Sequence, residues 1–465
     1  PPPPPPPPPP RPPLSSSFVD DKDQNTLENM ALEIRENIAT KEAKLLLSSS
    51  RYMDNLLDNV MKNGIFECYD GIKEITTLVN NYYKQKFQGE RVVAVILDGF
   101  GVEQKHLGDI VKILEQKNFK ILYIVFYTSV WLKELEEELQ AKKKDYILAG
   151  LEFMQNLDFF PFVISQVNAE KFHPNVRSLK LYASMDEVPN YVWLNDLFKD
   201  RMYKECIDLN FYQSFYINIH SQTHYEDFYK TQQFFNLDPN PSYRLIKGGY
   251  PSIEKEVVNF AKQREEVFRD TVIFISALLN HYYPKFLSKI IHNVLNAGFR
   301  VVFKSCPAHC ELEAQEDEFV ENGEFEKNPN FLYWRNDKPK LSIEELNRSI
   351  VAIEAASSMM YSYPVITKRP AILLYPKKDS IPQDLLEQDC FYHKDLHIRI
   401  FEEDSKDLIE ILQKLSMDKK YQKEWERKIQ KYCKEDLYNF GNASEYLANW
   451  IVEWYNKREI LKDTP

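Results

Sequence analysis

Four short segments carry side chains able to bind or activate a phosphorylated substrate. Ile217-Asn218-Ile219-His220-Ser221-Gln222-Thr223-His224 sets two imidazoles just beyond an apolar, strand-like run. Histidine titrates near neutrality, so His220 or His224 could be a catalytic base or acid, or a structural group. In Ala352-Ile353-Glu354-Ala355-Ala356-Ser357-Ser358 a strand runs into two hydroxyls, and a helical stretch follows from Met359 to Tyr363. Hydroxyls and free N–H groups at a helix start make an anion site suited to a diphosphate; the same serines would also serve as a plain helix cap. Glu354 closes that strand and is a candidate substrate-binding carboxylate. Arg300 to Cys310 (RVVFKSCPAHC) reads as a strand and turn in which Lys304 could neutralise phosphate and His309 could donate a hydrogen bond, if the turn is more than a surface loop. Asp186 and Glu187 follow a strand ending near Tyr182, where a carboxylate is either a base or merely solvated.

Several other chemistries are excluded. Asp98-Gly99-Phe100-Gly101 lies between a strand and a helix, but no third glycine completes a dinucleotide fingerprint. The sequence has no GxxxxGKS/T phosphate loop and no GxSxG nucleophile elbow. Its six cysteines are scattered, which in a chain this long reads as reduced thiols rather than a disulfide framework. Cys306-Pro307-Ala308-His309-Cys310 is locally dense, yet no second knuckle pairs with it, so no metal site is expected. No cofactor is expected either.

These residues need a scaffold, and the hydrophobic pattern supplies one. The chain has 465 residues, 43% of them apolar, enough for two or three domains. The net charge of −11 argues against general nucleic-acid binding. No apolar run is long enough for a membrane span and no secretory leader is expected. Residues 1–25 hold the proline tract Pro1 to Pro10 and are expected to be disordered, with polyproline II the conformation open to the tract. A slipping cytosine tract in an AT-rich bacterial gene would produce such a run. Residues 26–88 read as a helical arm. Arg91 to Leu97, Lys120 to Tyr127, Phe160 to Ile164, Ser178 to Tyr182 and Phe215 to Ile219 read as strands with helices between most of them. After Lys247-Gly248-Gly249-Tyr250-Pro251 the rhythm restarts. Its strands are Thr271 to Ile275, Arg300 to Phe303, Phe331 to Trp334, Ile350 to Ile353, Ala371 to Leu374 and His397 to Phe401. Continuous apolar runs alternating with helices predict α/β doubly wound parallel sheets. The expected plan is therefore two Rossmann-like domains, 89–245 and 246–430, facing a cleft. One amphipathic helix over Glu424 to Lys462 is expected to cross back, with residues 431–465 packing on the first domain.

The order of motifs in the second half resembles the CDP-glycerol glycerophosphotransferase family of bacterial surface-polymer enzymes, which have a GT-B fold. Gly249-Tyr250-Pro251 is similar to that family's GYP segment, and Phe303-Lys304-Ser305-Cys306-Pro307 stands where it has F-R-P-H-P. Ser357-Ser358, Lys368-Arg369-Pro370 and the Ile372 to Tyr375 strand resemble its D-Y-S-S and K-R-P-I-I-F-Y stretches. Cys306 takes the place of the family's histidine, and Tyr182-Ala183-Ser184 stands where W-H-G would fall. The resemblance implies a cytoplasmic, metal-independent transferase at the inner face of the membrane. It implies a CDP-, CMP- or UDP-linked donor held by Lys304, Ser357, Ser358, Glu354, Gly249 and Tyr250. The acceptor it implies is a surface glycan or lipid-linked intermediate, activated by His220, His224 or Asp186, while His309 assists at the donor's phosphates. A nucleotide-sugar hydrolase or epimerase of the same fold, or a degenerate binding protein, is the alternative.

Overall fold

A computed structural model describes residues 69–97, 105–126, 132–149, 154–165, 172–181, 215–234, 236–280, 284–305, 313–335, 340–354, 357–375 and 393–462. Strands β1 (Arg91–Leu97), β2 (Phe119–Phe126), β3 (Asp145–Ala149), β4 (Phe162–Ser165), β5 (Arg177–Lys180), β6 (Tyr216–Asn218) and β7 (Leu245–Ile246) form one sheet in the order β3-β2-β1-β4-β5-β6-β7. Strands β8 (Thr271–Ile275), β9 (Arg300–Lys304), β10 (Phe331–Trp334), β11 (Ser349–Glu354), β12 (Ala371–Tyr375) and β13 (His397–Phe401) form a second, in the order β10-β9-β8-β11-β12-β13. The pairings are parallel throughout; β1, for example, runs from Arg91 beside Phe119 to Leu97 beside Val125. Both orders reverse beside their first strand, as in doubly wound folds.

The first sheet is covered on both faces, which is why β1 is an unbroken apolar run. On one face Val92, Ala94 and Ile96 meet Val79 and Tyr83 of α1 (Tyr69–Lys86) and Phe87 just beyond it. On the other, Val93, Val95 and Leu97 meet α2 (Ile110–Gln116), α3 (Leu132–Ala141) and the C-terminal helix. The expected arm is thus, over Tyr69–Lys86, a layer of the first domain. After β6 comes α4 (Gln222–Phe234), after β7 comes α5 (Glu254–Gln263), and after β8 comes α6 (Pro284–Asn296). In α6 a proline opens the helix and Leu287, Ile290, Ile291, Val294 and Leu295 fall on one buried face. Gly298, at φ +88°, ends α6 by letting its own N–H and that of Phe299 turn back to Leu295 and Val294. The remaining helices are α7 (Glu313–Asn322), α8 (Ile343–Arg348), α9 (Met359–Thr367), α10 (Leu408–Met417), α11 (Lys419–Glu435) and α12 (Ala443–Lys462).

Three expectations need correction. The Glu424 to Lys462 tail is two helices, because Asn439 (φ 47°) and Gly441 (φ 85°) break it in a left-handed turn. Helix α11, including Tyr432 and Cys433, stays in the second domain's core, so the crossing lies at 436–442 and α12 alone packs on the first sheet. The first domain extends past residue 245, since Leu245–Ile246 pairs with β6 as the sheet's last strand. The β3 strand was not expected; its apolar run is short and follows Lys142-Lys143-Lys144.

Candidate functional site

In doubly wound sheets ligands lie beyond the carboxyl ends of the strands, at the point where the order reverses. In the second domain that point is between β8 and β11. There β11 ends on Glu354, and the chain enters α9 directly after Ser357-Ser358. Glu354 is fully buried and its carboxylate accepts the backbone N–H of Ser357. Ser357 Oγ accepts the Met359 N–H at 3.3 Å. Ser358 takes the N-cap position with helical angles (φ −56°, ψ −21°) and no side-chain cap bond. Both serines are half-buried. One amide of this turn is therefore already aimed at an anion, the protein's own carboxylate. Glu354 braces the serine turn rather than standing open to a ligand.

Lys304 ends β9, the neighbour of β8. It is buried, and its ammonium donates to the Ser305 carbonyl at 2.9 Å. Next to it lies a group that the motif analysis overlooks. The Ser305 hydroxyl and the Tyr333 hydroxyl (3.0 Å) both donate to the buried carboxylate of Glu316. Burial, together with the nearby Glu316 carboxylate, pushes the Tyr333 phenol upward. The available signal was an acid sharing the apolar face of α7 with Phe319 and Val320. A second overlooked residue is Lys180, which ends β5 beside Ser165 of β4, with both side chains buried. A lysine inside the apolar run of RSLKLY was its signal.

The first domain presents His220 and His224 differently from the expectation. The His220 backbone N–H donates to His224 Nδ1 at 3.0 Å, and the His224 N–H donates to Ser221 Oγ at 3.0 Å, so Ser221 caps α4 and His224 folds back over the turn. The two rings lie 5.1 Å apart, and Tyr250 packs on His220 at 4.7 Å. The crossing segment closes over them: Tyr438 donates to the His220 carbonyl, and Ser221 bridges Leu437. His220 is 1% exposed and His224 0%. Burial lowers both pKa values, that of His224 to about 3 and that of His220 well below 6.5, with His224 adding to the effect on His220. The pair is enclosed and neutral rather than a solvent-facing acid–base couple.

Gly249 and Tyr250 sit at the junction. At φ +93°, Gly249 passes so close to the Tyr438 carbonyl that a Cβ would overlap it. The Gly249 carbonyl accepts from Asn218 Nδ2 at 2.8 Å. Tyr250, buried, touches His220 on one side and the Tyr361 ring, 5.6 Å away in the first turn of α9, on the other. One tyrosine thus separates the strand end of the first domain from the serine turn of the second. Two helix caps are supplied across the same junction. Asp436 accepts from Thr223 N (3.2 Å) and Thr223 Oγ1 (2.8 Å) at the start of α4. Glu254 accepts from the N–H groups of Ala443 (2.5 Å) and Ser444 (3.2 Å) at the start of α12. Asp186, Glu187, His309, Cys306 and the Asp98 to Gly101 turn lie outside the described residues. Among the described residues no three His, Cys, Asp or Glu side chains gather into a metal site, and no helix is long and apolar enough to cross a membrane.

No protein-family model matches the sequence, and no curated protein sequence is similar to it. Solved structures do share its architecture. The wall teichoic acid polymerase TagF superposes with a TM-score of 0.52 at 12% identity, over 95% of this chain and 99% of that one. A histidine-to-asparagine variant of that polymerase, soaked with CDPG, gives 0.50 at 12% identity over 95% and 100%. With two parallel doubly wound sheets joined at Tyr250 and recrossed by α12, the chain has the GT-B fold, and in that fold it resembles TagF.

Proposed function

We propose that this protein is a GT-B transferase that moves a glycosyl or glycerophosphate group from a nucleotide-activated donor to a surface-polysaccharide or lipid-linked acceptor. The observation that carries the reading is the serine turn. It opens α9 at the second domain's reversal point and adjoins the first domain through Tyr250. The helix start and its hydroxyls would hold the donor's phosphates and stabilise the charge that grows on the leaving nucleotide. Lys304, two strands away across β8, would add a positive charge. With His220 and His224 enclosed, the base that takes the acceptor's proton is assigned to Asp186, with His309 assisting at the leaving group. Closure of the domains would keep out water, whose attack is the competing reaction. The fold shared with a polymerase studied with CDPG supports a cytidine-linked donor as the first to test.

A second reading, a nucleotide-binding protein without turnover, is favoured by the enclosed histidines and by Cys306 at the family's histidine position. Incubation with CDP-, CMP- and UDP-activated donors, with and without acceptor, decides between them. Acceptor-dependent donor cleavage supports the transferase, acceptor-independent cleavage a hydrolase, and thermal stabilisation without turnover the binding protein. Ser358→Ala should weaken nucleotide binding about tenfold, the worth of one charge-assisted hydrogen bond. Unchanged affinity would remove the phosphate from the serine turn.

A further inference from the structure

Helix α9 carries a proline in its interior, and the consequence falls on its first turn. A helical carbonyl accepts from the N–H four residues later. For Met360 that residue is Pro364, which has no N–H. Met360 is fully buried, so water does not replace the missing donor. The replacement comes from another strand: His397 Nε2, at the start of β13, lies 2.8 Å from the Met360 carbonyl. The other ring nitrogen, Nδ1, lies 3.0 Å from the His393 carbonyl, which already accepts the Leu396 N–H at 3.0 Å. Burial keeps the ring neutral, with a pKa near 4, so it carries a single proton. The carbonyl deprived of its helical donor is where that proton is needed.

We propose that His397, as the Nε2–H tautomer, is a positioning residue that stands in for the N–H Pro364 lacks and thereby fixes the turn bearing Ser357 and Ser358. The hydrogen-bond substitution stands on its own; its effect on ligand binding rests on the reading of that turn as the phosphate site.

The test has two arms, both on the full chain. With histidines labelled in 13C and 15N, and the His397 signal among the nine assigned by its loss in His397→Gln, the ring should be the Nε2–H tautomer at pH 7.5. An Nδ1–H tautomer overturns the proposal. In the second arm, CDP and UDP affinities are measured by calorimetry. His397→Ala should weaken binding about tenfold, as expected for one buried hydrogen bond. His397→Gln, which keeps an amide donor, should recover most of the loss. Pro364→Ala restores the helical N–H, so adding it to His397→Ala should also recover binding. A defect that Pro364→Ala leaves undiminished overturns the proposal. If wild type binds neither nucleotide, the functional reading fails, and the same cycle is read in melting temperature. Rescue of His397→Ala by Pro364→Ala then supports the substitution, and additive losses refute it.

Discussion

Lowering the pH from 7.5 to 5.5 should destabilise this protein strongly, and the buried histidines fix both sign and size. His224, with a pKa lowered to about 3, His397, lowered to about 4, and His220, well below 6.5, are all held neutral by burial. In the unfolded chain each takes up a proton near pH 6.5. The unfolded state therefore binds more protons than the folded one as the pH falls below 6.5. Stability is lost progressively from there down toward each folded pKa, while above about pH 7.5 these groups impose no slope. One such group costs about 1.4 kcal/mol at pH 5.5, so His224 and His397 together cost about 3 kcal/mol, a sizeable share of a typical folding free energy, and His220 acts in the same direction. His393, also lowered by burial, acts in the same direction. Urea unfolding at pH 7.5, 6.5 and 5.5, followed by tryptophan fluorescence, measures the slope. A triple variant with glutamine at positions 220, 224 and 397 should lose most of it. Equal stability at pH 7.5 and 5.5, or an unchanged slope in the triple variant, would refute the reasoning.

Other perturbations probe the junction and the helices. Gly249→Ala places a Cβ against the Tyr438 carbonyl at a left-handed φ, and should cost about 3 kcal/mol or more in thermal or urea unfolding. Asp418 caps α11 by accepting from Lys420 N (2.9 Å) and Tyr421 N (3.1 Å), so Asp418→Ala should cost about 1 kcal/mol by the same measurement. Glu345 takes both terminal nitrogens of Arg300, with only 9% of its side chain exposed, and Glu345→Gln should cost about 3 kcal/mol because the guanidinium stays buried without its partner.

The sheets were legible because their strands are buried on both faces. RVVAVIL and TVIFI have no partner in the sequence that could make them anything but central strands, and they appear as Arg91–Leu97 and Thr271–Ile275. The serine turn was legible for a similar reason, since a strand that stops at two hydroxyls before a helix has few other geometries. The enclosure of His220 was not legible. It depends on Tyr438, more than two hundred residues later, whose N–H reaches the His220 carbonyl through a turn that periodicity alone reads as helix. Glu354 looked like a binding group because its neighbours do; that its carboxylate points back to the Ser357 amide is a rotamer choice no spacing reveals. Gly249-Tyr250 was found as a motif, but its use as a packing joint between domains required both crossings at once.

The recrossing by α12 bears on how the protein is made. Leu447, Ala448, Ile451 and Tyr455 pack beside α2 and α3 on one face of the first sheet, and the Tyr455 hydroxyl donates to the Val92 carbonyl. The domain that leaves the ribosome first therefore carries a strip of uncovered apolar surface, the part that α12 will cover, until the second domain has been synthesised. Its completion waits for α12, and in that interval the nascent chain presents apolar surface open to aggregation. A fragment ending before Ala443 should inherit that exposed strip permanently.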